Sequence, residues 1–97
     1  MKNTITLELK GIDFVNTRYT DNGNCAISKA LKRQEGQQFP NTGTDSVFLY
    51  PDLAQTERVY YAFDYYGETE FGDDKDKAYH SGYGENVIRT IILTKRA

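Results

Sequence analysis

Apolar and polar residues alternate near the start of the chain. Ile5, Leu7 and Leu9 point one way while Thr4, Thr6 and Glu8 point the other, and this period of two predicts a half-buried strand. Gly11 can bend or bulge that strand before Ile12-Asp13-Phe14-Val15. The period changes after Asn24. Ile27, Ala30, Leu31 and Gln34 fall on one face at helical spacing, with Ala26 beside them. Lys29, Lys32 and Arg33 lie toward the other side and the C-terminal end, where positive charge suits the helix dipole. Asn24 is the predicted N-cap, its side-chain oxygen accepting from a free first-turn amide, and Gly36 the left-handed residue that ends the helix. A helix this short needs a sheet to pack against.

Three further strands follow. Residues 45–50 form one, stopped by Pro51. Residues 57–66 give the clearest alternation, with Val59, Tyr61, Phe63 and Tyr65 set against Arg58, Tyr60, Ala62, Asp64 and Tyr66. That second face is unusually aromatic for one turned to solvent. Residues 67–85 break the pattern with glycines and charges, which predicts a flexible loop. Residues 86–95 place Val87, Ile91 and Leu93 on one face and Ile88 and Ile92 on the other, as expected of a central strand or one covered on both sides. The order β-α-β-β-β predicts an α+β fold in a single domain over residues 1–97. One short helix packs on a mostly antiparallel four-stranded sheet.

The run Asn24-Cys25-Ala26-Ile27-Ser28-Lys29-Ala30-Leu31-Lys32-Arg33, followed by Val47-Phe48-Leu49, resembles small uncharacterised proteins of phages and bacterial mobile elements. In those, an Asp/Asn-Cys pair opens a helix of the type Cys-Pro-Ile-Ala-x-Ala-Leu-Lys and a strand follows. Ala26 stands here in place of the proline and Ser28 in place of an alanine. The resemblance covers less than a third of the chain. It implies a phage or mobile-element origin and no activity for named residues.

Composition narrows the function classes. The formal charge of −2 does not suit a protein that coats nucleic acid by neutralising phosphates. The single cysteine, Cys25, cannot form an internal disulfide, which fits a reducing cytoplasm. No apolar run approaches the roughly 20 residues of a membrane helix, and the opening residues read as mature strand rather than leader. Eight tyrosines without a tryptophan suit either ordinary sheet composition or a contact surface, since tyrosine offers rigid contact area at low entropic cost.

Catalytic chemistry is poorly supplied. Cys25 at a helix N-terminus has only His80 as a conceivable base, and a cysteine packing the first helical turn is the simpler reading. One Cys and one His do not make a tetrahedral zinc site, so no metal or cofactor is expected. The acidic run Asp64, Glu68, Glu70, Asp73, Asp74 and Asp76 reads as a solvated loop, or as a carboxylate face that imitates a phosphate backbone in a partner's basic groove. Tyr79-His80-Ser81-Gly82-Tyr83-Gly84 combines aromatic anchors with adaptable backbone, as antibody loops do. The expectation is therefore a non-enzymatic protein that blocks or modulates a host protein or protein complex, for example an anti-defence inhibitor. Its contact residues would be Tyr60, Tyr66, Asp73, Asp74, Asp76, Tyr79, His80 and Tyr83. An alternative is a module for a nucleotide or similar polar ligand, with tyrosines stacking on the base and Arg18, Lys29 or Arg58 pairing with phosphate. A structural subunit or homo-oligomer joined through an exposed sheet edge also stays open.

Overall fold

The opening alternation becomes strand β1 (Thr4–Lys10), with Ile5, Leu7 and Leu9 buried and Thr4, Thr6 and Glu8 exposed. In this computed structural model the residues described are 2–19, 21, 23–51, 54, 57–64 and 67–96. A 3-10 turn (Gly11–Phe14) follows, then helix α1 (Ala26–Glu35), strands β2 (Asn41–Thr42), β3 (Ser46–Leu49) and β4 (Val59–Phe63), helix α2 (Glu68–His80) and strand β5 (Val87–Lys95). The strands form one antiparallel sheet in the order β1-β5-β4-β3-β2. The α+β class is as expected, but among the described residues there are two α-helices rather than one and five strands rather than four.

Helix α1 carries its apolar face as read from spacing: Ala26, Ile27, Ala30 and Leu31 are buried against Leu7, Leu9, Val47, Leu49 and Leu93 of the sheet. Each fully buried Ile or Leu here contributes roughly 1.5–3 kcal/mol. The predicted cap is shifted by one residue. Cys25 is the N-cap, its Sγ accepting from Ser28 N–H at 3.5 Å, while Asn24 Nδ2 donates instead to the Asn16 carbonyl at 2.9 Å. Gly36 ends the helix at φ 68°, as the sequence suggested. The Ser28 and Thr42 hydroxyls, 2.7 Å apart, then fasten α1 to β2, a strand too short to show a period.

Helix α2 occupies most of the stretch expected to be a loop. Its inward stripe is Phe71, Asp74 and Ala78, at helical spacing. One of those three positions is a carboxylate, which is why the apolar count concealed the helix. Glu68 and Glu70 in the first turn and Lys77 and His80 in the last complement its dipole. Phe71 packs its ring against Phe14 and Tyr19, at centroid distances of 5.7 and 5.8 Å.

Strand β5 is central, as expected, but only one face is covered: Ile91 and Leu93 are buried while Ile92 is 59% exposed. The register slips opposite Leu9 and Lys10, where Leu9 pairs with Arg89 and Lys10 with Val87. This bulge leaves Ile88 against the core and turns Val87 outward, so Val87 does not share a face with Ile91. Close approach also fixes Gly11: a Cβ there would meet the Gly84 backbone nitrogen and oxygen at 3.0 Å.

The free edge of β1 is occupied by side chains of α1. Gln34 Nε2 donates to the Thr6 carbonyl at 2.8 Å, and its Oε1 accepts from Glu8 N–H at 3.0 Å. Arg33 Nη2 donates to the Glu8 carbonyl at 2.6 Å. The amide of Gln34 thus imitates the donor and acceptor pair of a neighbouring strand. An edge covered this way is a poor template for another strand.

Candidate functional site

The alternation that fills the core also builds the opposite face. Val47 and Leu49 point inward from β3, so Phe48 and Tyr50 point outward. Tyr61 and Phe63 point inward from β4, so Arg58, Tyr60 and Ala62 point outward. Both helices pack on the inner side, and among the described residues none forms an element over the outer one.

Antiparallel register sets Phe48 opposite Tyr60. Their ring centroids are 5.6 Å apart, and Tyr50 stands edge-on to Phe48 at 5.7 Å. The Arg58 guanidinium lies 4.7 Å from the Phe48 ring centroid, a cation–π contact. Hydrogen bonding to the Tyr60 and then the Tyr50 hydroxyl raises the Arg58 pKa further above its usual value. Arg96 is drawn in beside Tyr60 by its N–H, which donates to the Tyr60 carbonyl at 2.8 Å. Arg58, Tyr60 and Arg96 line one open groove. A second runs from Phe48 and Tyr50 past β2 to Phe39 and Lys32. Tyr60 is 40% exposed and Phe39 51%.

The contact residues proposed from sequence do not form one surface. Tyr60 belongs to the open sheet face, and Tyr66 lies outside the described residues. Asp73, Asp76, Tyr79 and His80 are exposed on α2, on the helical side. There the Tyr79 ring meets His80 at 5.4 Å and Tyr83 at 5.9 Å, making a compact aromatic corner. Asp74 is withdrawn from any surface role. It is 1% exposed and accepts from Arg89 Nε at 2.6 Å and Nη2 at 3.4 Å, holding α2 to β5.

The alternative ligand set is dispersed too. Lys29 Nζ donates to the Val15 carbonyl and braces α1. Arg18 lines a groove with Tyr19, Glu68 and Lys75 beside α2. Only Arg58 joins the aromatic face. Cys25 is buried, in a cavity of about 10 Å³ that it shares with Tyr19, Ile27 and Phe71. Phe71 is near the start of α2 and His80 at its end, nine residues or about 13 Å along the axis, so the two halves of a Cys/His dyad are apart. Among the described residues, no group of three or more His, Cys, Asp or Glu is placed to hold a metal ion. No described helix is long and apolar enough to cross a membrane.

Phe48, Tyr50 and Arg96 were not singled out from the sequence. The signal for Phe48 and Tyr50 was the register of β3 against β4, and for Arg96 the pairing of β4 with β5, which spacing alone does not reveal. Against protein-family models, curated proteins and solved structures, the chain has no match.

Proposed function

We propose that this chain is a small non-enzymatic binding protein that blocks or modulates a macromolecular partner through the open face of its sheet. One arrangement carries the reading: Tyr50 and Tyr60 both stand against Phe48, with Arg58 over the Phe48 ring, beside strands whose inner faces are locked into the core. Rings fixed by buried strands lose little freedom on binding, and aromatic and arginine side chains are the residue types that anchor contact surfaces. The space beside Cys25 is about 10 Å³, barely one water molecule, and favours no internal ligand. A phage or mobile-element origin and a reducing cytoplasm, where the buried Cys25 thiol stays free, complete the proposal.

The test is native mass spectrometry after incubation with host lysate, run on the wild type, Tyr60→Ala and Tyr79→Ala. Retention of a partner by the wild type and Tyr79→Ala, and its loss in Tyr60→Ala, is the expected result. Equal retention by Tyr60→Ala would overturn the choice of face. A second reading places a protein partner on the corner formed by Tyr79, His80 and Tyr83, since Tyr79 is 63% exposed. Loss of the partner in Tyr79→Ala alone would select it.

A further inference from the structure

Resting on the sheet-face reading above, we infer that the occupant of that face is a short segment of single-stranded nucleic acid. Every base offers a π face, and single strands bind by laying successive bases on aromatic side chains while cations track the backbone. The outer face supplies both. Phe48, Tyr50 and Tyr60 are three rings within 5.6–5.7 Å of a neighbour. Arg58 already lies over Phe48 and is exposed, and a guanidinium is a group on which an unstacked base can sit. Arg96 flanks Tyr60 in the same groove, and Lys32 stands at the Phe39 end of the second groove.

Shape favours a strand over a free nucleotide. Small-ligand sites enclose most of their ligand, whereas these grooves are open along the sheet. Charge is divided in the same sense. The net charge is −2, but Glu68, Glu70, Asp73 and Asp76 are on α2, across the sheet from the aromatic face. Asp45 lies 3.9 Å from Arg96 and is 75% exposed, so a phosphate can displace it at little cost. A protein of this charge does not coat long nucleic acid, but a contact of a few nucleotides asks for only two or three cations.

Fluorescence anisotropy with a labelled single-stranded oligonucleotide of about ten nucleotides tests the inference, a length within the usual range for one small domain. The wild type should bind with a shallow salt dependence, a slope near −1.4 if Arg58 and Arg96 each neutralise one phosphate. Tyr60→Ala should weaken binding about tenfold or more. Arg58→Ala should weaken it and flatten the salt slope by about 0.7. Tyr60→Leu keeps apolar volume without a stacking face, so its loss of binding at an unchanged unfolding midpoint separates recognition from misfolding. Binding that survives Tyr60→Ala and Arg58→Ala, equal affinity for a duplex of the same sequence, or tight binding of a mononucleotide would each overturn the inference. If no oligonucleotide binds while Tyr60→Ala still removes a lysate partner, the nucleic-acid inference fails and the sheet-face reading stands. If Tyr60→Ala changes neither, both fail.

Discussion

Asp13→Ala removes one carboxylate that joins three elements. Its Oδ1 accepts from Arg33 Nε at 3.0 Å, and its Oδ2 accepts from Arg33 Nη2 and from Lys10 N–H, both at 2.8 Å. The residue is 3% exposed, so α1, the 3-10 turn and β1 meet at a desolvated charge. The hydrogen bond to Asp13 is also the main cause that raises the Arg33 pKa. Hydrogen bonds to charged groups contribute about 1.5–3 kcal/mol each, so simple addition over three gives at least about 4.5 kcal/mol. That sum is too large, because the Arg33 side chain is 28% exposed and water can recover part of its solvation. A loss of about 3 kcal/mol is expected. With an unfolding entropy of about 2.1 cal/mol/K per residue, the midpoint should fall by about 15 °C. Thermal unfolding followed by circular dichroism, on Asp13→Ala, Arg33→Ala and the double variant, measures both the loss and the coupling. Additive losses, or a single-variant loss under about 1 kcal/mol, would refute the claim that this fork holds the three elements together.

Gln34→Ala uncovers the Thr6 carbonyl and the Glu8 N–H on the edge of β1. Stability should drop by about 1 kcal/mol and the self-associated fraction in sedimentation velocity should rise at matched concentration; no change in either would show that the edge needs no cover. Glu35→Gln tests a pH linkage. Hydrogen bonds from Gln34 and then Lys2 lower the Glu35 pKa, so its stabilisation is present above the ordinary value near 4.5 and is lost as pH falls through the folded value. The variant should therefore lose stability less steeply than the wild type on acidification below about pH 4.5, and parallel acid limbs in urea titrations would exclude Glu35 as a contributor.

Period-two alternation was enough to find β1 and β4, because each has one face in the core and one outside; β3 was bounded by Pro51, and β5 was read from apolar residues on both of its faces, of which one is covered. Helix α1 was legible for the same reason at a different period. Helix α2 was not, since Asp74 sits where an apolar residue would have signalled burial, and its counter-ion Arg89 is on another element. The Asn24 cap was misplaced by one residue because Cys25 can also accept a hydrogen bond, weakly, through sulfur. Tyr60 and Arg58 were visible as the aromatic second face of one strand. Their neighbours Phe48 and Tyr50 depended on strand pairing, a non-local property, and the expected company of Tyr79 and Tyr83 placed residues together that the sheet separates.

Strand β5, an inner strand held between β1 and β4, is the last of the five described strands in sequence, and it pairs with the first from Thr4–Thr94 to Lys10–Val87. Nearly the whole chain must emerge from the ribosome before β1 gains its backbone partner. Contacts this distant give a high relative contact order, which points to folding in milliseconds to seconds rather than microseconds. Until β5 docks, β1 and β4 each present an unpaired side with apolar residues beside it, a window in which nascent chains can mispair. Chaperone demand during synthesis, rather than fragility once folded, is the cost this topology imposes.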